Sequence, residues 1–203
     1  DAVAEMTGWP REYLEAERAI PSYYLRYYFS PETVLNEQRK QGTRGTEVAR
    51  IEAQLLDMYR DPSLSTKPKL LEERGGAFYS SAALDLIAAL TGARPARLVV
   101  NARNNGAIPD LPDDVVVEVL SEVSASGAAT LPIAPLGGTR QELISKIVAF
   151  NRATIAAALS GDRRAALDAL ALNPVVPSRE VAEAIGGELI AAHAANLPRF
   201  HGR

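Results

Sequence analysis

The chain has 203 residues, 47% of them apolar and 23% charged. That is ordinary for a globular protein of one to one and a half domains and excludes disorder, collagen-like repeats and coiled coil. The 22 cations and 25 anions leave a net charge of −3, so there is no basic footprint for a nucleic-acid backbone. Cysteine is absent, which removes disulfides, thiolate nucleophiles and sulfur metal sites and is compatible with the reducing cytoplasm in which the chain is expected.

The longest Ala/Leu/Ile stretches are cut by Asp, Arg or Ser short of the roughly 18 residues that span a bilayer, so no membrane partner is expected. The first residues are Ala- and Glu-rich and carry no signal-peptide pattern, and the chain reads as a piece of a longer protein. Trp9-Pro10 opens a predicted helix over residues 11–20, which Pro21 halts. Over residues 22–29, Tyr23, Tyr24, Tyr27 and Tyr28 fall at i, i+1, i+4 and i+5, two adjacent stripes on a helix. They are open to two readings: a belt packed at a domain or subunit interface, or a wall on which a sugar stacks.

Ser30-Pro31 starts the next helix, and Thr46-Glu47 opens a longer one through Tyr59 with Val48, Ile51, Leu55 and Met58 on its apolar face. Between them, residues 39–46 hold three cations and two glycines, which reads as a mobile basic loop, either a phosphate recogniser or a solvated connection. Residues 61–71, with Pro62 and Pro68, read as a loop. Gly75-Gly76 precedes an apolar helix over residues 82–90; a glycine pair there lets backbone approach a ligand, and the helix start favours an anion.

Residues 97–102 and 115–119 read as strands, with a third around 130–133. The stretch joining the first two, beginning Asn101-Ala102-Arg103-Asn104-Asn105-Gly106, holds more hydrogen-bonding capacity than a turn requires and is the most site-like segment of the sequence. Asp110, Asp113 and Asp114 beside it read as cap and turn chemistry. Three helices follow, over 139–159, 162–172 and 178–193. The two histidines, His193 and His201, are eight apart, too far for a helical metal pair, and no Gly-rich phosphate cradle is present. Two or three strands among some seven helices indicate an α+β fold.

Taken together, IPSYYLRYY (20–28), RGGAFYS (74–80) and NARNNGAIPDLPDD (101–114), with LNPVVPS (172–178) and LPRF (197–200), resemble the C-terminal half of glycoside hydrolase family 4, its 6-phospho-β-glucosidase branch above all. The resemblance implies that residues 1–203 form a substrate-binding and oligomerisation domain. Its expected fold is helix-rich with a small, mainly antiparallel sheet, akin to the C-terminal domain of lactate and malate dehydrogenases. The family's NAD-binding Rossmann domain and its Cys-and-His metal pair precede this part, so the isolated chain is expected to bind neither group and to be inert.

The chemistry the resemblance implies is an exception to the two-carboxylate glycosidase mechanism. NAD oxidises C3 of a 6-phosphorylated glycoside, a divalent metal, usually manganese, polarises the ketone, and a tyrosine removes the C2 proton. Elimination of the aglycone, addition of water and reduction follow. By the same resemblance Tyr79 is the base. A free phenol titrates at about 10, so such a base needs positive charge beside it, from Arg74, Arg103 or the metal. The resemblance further gives Arg103, with Asn101 or Asn104, to the sugar or its 6-phosphate, and Arg44 as a second phosphate candidate. Homo-oligomers are expected. Two alternatives stay open: 6-phospho-α-glucosides as substrates, and a stand-alone, non-catalytic oligomerisation module.

Overall fold

A computed structural model describes residues 4, 9–17, 19–75 and 79–201, apart from the side chain of residue 17. The chain divides into two compact units, Asp1–Ser81 and Ala82–Arg203.

The first unit is helical: α1 (Arg11–Glu17), a 3-10 turn (Tyr23–Leu25) running into α2 (Arg26–Phe29), α3 (Pro31–Gln41), α4 (Arg44–Met58) and α5 (Leu70–Arg74). Pro31 occupies the first turn of α3, where its missing N–H costs nothing. The expected basic loop at 39–46 does not form. Arg39 and Lys40 end α3, Gly42 at φ 83° stops it, and Thr43 caps α4 by accepting from the Thr46 amide. The connection shrinks to two residues because a glycine exit and a threonine cap meet there. Trp9 stacks on Tyr13 at 4.8 Å and meets Phe29 at 6.4 Å, and Val34, Ile51 and Leu55 are buried.

In the second unit β1 (Ala96–Arg103), β2 (Val116–Ser124) and β3 (Gly127–Thr130) form an antiparallel sheet in the order β1-β2-β3. The third strand precedes the expected 130–133 because the Ser124-to-Gly127 hairpin reverses direction early. Period-2 alternation along β2 buries Val117, Val119, Ser121 and Val123 and exposes the residues between them. The α6 helix (Tyr79–Leu90) feeds this sheet, and α7 (Gly138–Ser160), α8 (Arg163–Ala171) and α9 (Arg179–Ala192) follow it. Asp162 accepts from the Arg164 and Ala165 amides and Ser178 from that of Val181, the caps that start α8 and α9. The core joins Ala107, Ile108, Leu111, Val115, Val117 and Val119, with Leu136, Ile144 and Val148 packed against it.

By length and composition α7 could cross a membrane, with a mean hydropathy of 1.3 over its most apolar stretch. Here Ile144 and Val148 face the core and Arg152 pairs with Asp114, so it serves as a packing helix of the unit.

Candidate functional site

Two of the sequence expectations meet in the first unit. A cleft of about 520 Å³ opens between the tyrosine segment and the α3–α4 turn, lined by Tyr23, Tyr24, Tyr27, Gln38, Thr43 and Arg44 among others. The tyrosines lie on a 3-10 turn followed by a short α-turn, where a single straight helix would line them up in two stripes. Tyr23 and Tyr24 pack edge to face at 6.4 Å and are 51% and 72% exposed.

Beneath them Arg26 is buried, its guanidinium 5.2 Å from the centre of the Tyr23 ring and 2.8 Å from Glu37. Burial pulls its pKa down, but the hydrogen bond and charge of Glu37, helped by Tyr23, win and hold it above the ordinary arginine value. The sequence carries no signal for this pairing across eleven residues; only the α2–α3 turn creates it. The cation fixes the ring of Tyr23 from behind.

Arg44 reaches the cleft from the start of α4. Its guanidinium donates to Glu47 at 2.7 Å and to the Glu73 carbonyl. It is therefore held in position, and half of its surface stays open to a ligand.

Tyr79 is the first residue of α6 and is 80% exposed. Gly76, Ala77 and Phe78, which complete the expected glycine turn, lie outside the described residues. Gly75, at φ 91°, ends α5.

In the second unit the alternation of β1 puts Asn101 and Arg103 on one exposed face, where they stand opposite Glu118 and Val116 of β2. The Arg103 Nε donates to the Asp113 carbonyl at 3.3 Å, which ties the strand end to the returning loop. Asn104 departs from expectation. It is 0% exposed, its Nδ2 donates to the carbonyls of Ile108 and Leu111 at 3.0 Å and of Pro112 at 3.2 Å, and its Oδ1 accepts from the Ile108 amide at 2.8 Å.

Fully buried, with its Nδ2 hydrogens committed to carbonyls, Asn104 is out of reach of a sugar; the residue knits the loop that carries its neighbours. The apolar Ile108 and Leu111 inside so polar a stretch are the sequence signal that this loop folds on itself. Two of the aspartates are likewise structural: Asp110 accepts from the Leu136 amide at 3.0 Å and Asp114 pairs with Arg152.

Among the described residues no group of three or more His, Cys, Asp and Glu side chains could hold a metal ion. Among the described residues the donor set therefore does not fit a metal, and no Gly-rich strand-turn-helix fits a dinucleotide.

The family model described as the family 4 glycosyl hydrolase C-terminal domain matches residues 3–176. The chain belongs to glycosyl hydrolase family 4. A probable 6-phospho-beta-glucosidase of Bacillus subtilis (strain 168) is 39% identical over 196 residues, 95% of this chain and 44% of that protein. A phospho-alpha-glucosidase of Clostridium acetobutylicum is 26% identical over 188 residues, 90% of this chain and 42% of the relative.

The 6-phospho-beta glucosidase of Thermotoga maritima, solved with NAD and glucose-6-phosphate, superposes with a TM-score of 0.85 at 30% identity over 97% of this chain and 49% of that one. The same enzyme solved with manganese, NAD+ and glucose-6-phosphate gives 0.84. The family 4 chain thus spans less than half the length of the relatives it matches.

Proposed function

We propose that this chain is the substrate-binding half of a 6-phospho-β-glucosidase that works with NAD and a divalent metal, manganese above all, held by residues outside it. The supporting observation is the pairing of 39% identity to a 6-phospho-beta-glucosidase with a cleft that sets three tyrosines beside a fixed arginine. Aromatic faces suit the C–H faces of a pyranose, and a planar guanidinium suits a phosphate bidentately. The β-anomer is favoured over the α-anomer by the lower identity, 26%, to a phospho-alpha-glucosidase. A sugar phosphate is kept inside the cell by its charge, so the site of action is the cytoplasm.

In this reading, within the first unit, Arg44 binds the phosphate and the Tyr79 phenol oxygen takes the proton from C2 of the sugar; within the second unit, Arg103 with Asn101 on the β1 face is the other proposed contact for the sugar or its phosphate. Asn104 keeps the loop behind Arg103 in shape. The isolated chain binds without turnover. Homo-oligomers are part of the proposal, supported by the exposed stripe of Leu84, Ile87 and Leu90 on α6.

A second reading gives the base to a tyrosine of the cleft. Tyr24 is 72% exposed there, in the cleft that also holds Arg44, whereas Tyr79 does not line it. Solvent deuterium incorporation at C2, measured in the protein that contains this chain, separates the two. Tyr79→Phe abolishes exchange with NAD binding intact if Tyr79 is the base; retained exchange in Tyr79→Phe and loss in Tyr24→Phe assigns it to the cleft.

A further inference from the structure

We propose that Asn105-Gly106 is a self-modification site, where the loop between β1 and β2 converts its own asparagine to aspartate and isoaspartate. It is the one Asn-Gly pair in the sequence. Residues 104–107 form a tight turn closed by the Ala107 amide on the Asn104 carbonyl at 2.8 Å. Asn105 at φ 44° and Gly106 at φ 82° both take the left-handed conformation of a type I′ turn, and both are exposed.

Three features make this the reactive asparagine. The nucleophile is the Gly106 backbone nitrogen, and among the described residues no backbone carbonyl accepts from it. Gly106 has no Cβ, and beyond its chain neighbours nothing lies within 4 Å of where one would stand, so no side chain crowds the turn on the glycine side. The Asn105 carboxamide is exposed, while that of Asn104 one residue earlier is locked into carbonyl acceptors. Asn173 is followed by Pro174, which has no amide proton to give up. Asn36 and Asn151 sit inside helices, where the backbone nitrogens that follow them are hydrogen-bonded.

The step needs water alone. The Gly106 amide gives its proton to solvent base and its nitrogen bonds to the Asn105 Cγ. The Cγ–Nδ2 bond of the carboxamide breaks, and ammonia leaves with a proton returned from water. Water then adds to one or the other carbonyl of the succinimide, opening it to aspartate or, with the backbone rerouted through Cβ, to isoaspartate. Either product puts a carboxylate two residues from Arg103. The isoaspartate form also adds a methylene to the backbone between the Asn105 amide, bonded to the Asp113 carbonyl at 3.1 Å, and the turn that follows.

The test is to hold this protein at mildly alkaline pH and follow it by intact mass and by peptide mapping that separates aspartate from isoaspartate. The expected result is a single-dalton gain confined to the peptide containing Asn105, with isoaspartate present, at least an order of magnitude faster than at any other asparagine. Asn105→Gly keeps a turn that accepts positive φ and removes the carboxamide, so it abolishes the gain in a folded protein. A gain spread evenly over the asparagines, one that survives Asn105→Gly, or none at all overturns the proposal.

Discussion

Replacing Asn104 with alanine should unfold the β1–β2 loop at a cost readable as stability. The side chain is fully buried and is the partner of four backbone groups. Alanine strands the Ile108 amide and the Leu111 carbonyl, which water cannot reach without opening the core formed by Ile108, Leu111 and Val115, while the Ile108 and Pro112 carbonyls keep the Leu111 and Val115 amides as donors. At about 1–3 kcal/mol for each of the two unsatisfied buried groups, partly relieved by water entering, the loss comes to about 2–4 kcal/mol. That is a large share of the roughly 5–15 kcal/mol that holds a domain together.

Asn104→Asp refines the point, since it keeps the acceptor that Ile108 needs but turns an anionic oxygen toward three carbonyls. The introduced carboxyl then titrates above its unfolded value of about 4. Such a group contributes most below the unfolded pKa and loses its contribution as pH rises through the folded one. The variant should therefore approach the parent at acid pH and fall furthest behind near neutrality. Guanidinium denaturation followed by far-UV circular dichroism gives the free energies, and hydrogen exchange at the Ala107 and Ile108 amides localises them. A loss under about 1 kcal/mol in the alanine variant, the size of a single solvent-compensated hydrogen bond, would rule out this role for Asn104. So would an aspartate variant whose deficit does not grow with pH.

Other consequences follow from the same kind of accounting. Gly161 closes α7 at φ 73°, and a Cβ there would lie 2.5 Å from the Arg199 carbonyl oxygen, so Gly161→Ala should cost about 2 kcal/mol or more and release the 3-10 turn Pro198–His201 to proteolysis. Arg26→Met removes the cation behind Tyr23 and the partner of Glu37; a stability loss of about 1–2 kcal/mol is expected, with a rise in Tyr23 mobility seen by NMR. Asp168 is held below the usual carboxylate range by its hydrogen bond to Arg179, with the charges of Arg164 and Arg179 adding to it. Its contribution to joining α8 and α9 is thus present above about pH 4 and lost as pH falls through the lowered value, and Asp168→Asn should flatten that acid limb in a thermal-melt series.

How far the sequence can be read depends on where each decision is made. The strands are legible because Val99-Val100 and Val115, Val116, Val117 and Val119 make short apolar runs rich in β-branched residues, and the last three helices because Asp162, Ser178 and the glycine at 161 mark their ends. The short α5 inside a proline-bearing loop is not, since five residues of LLEER carry too little periodicity. The basic stretch at 39–46 reads as a loop by composition, although Thr43 is a residue type favoured as an N-cap, and it caps the helix start the structure shows. Asn104 shows a harder limit. Its residue type announces hydrogen bonding, but whether the partner is a ligand or a carbonyl four to eight positions onward is settled only when Ile108 and Leu111 go into the core. The chemistry-bearing types are visible; their partners are tertiary facts.

The most direct test of the proposed function is to assay the protein that contains this chain in deuterated water, with NAD and manganese, on paired α and β aryl glucosides with and without a 6-phosphate. The expected result is cleavage of the 6-phosphorylated β-glucoside alone, with deuterium appearing at C2 of the released sugar phosphate. Cleavage that leaves C2 protonated, or that proceeds as well on the unphosphorylated glucoside, would overturn the proposed function.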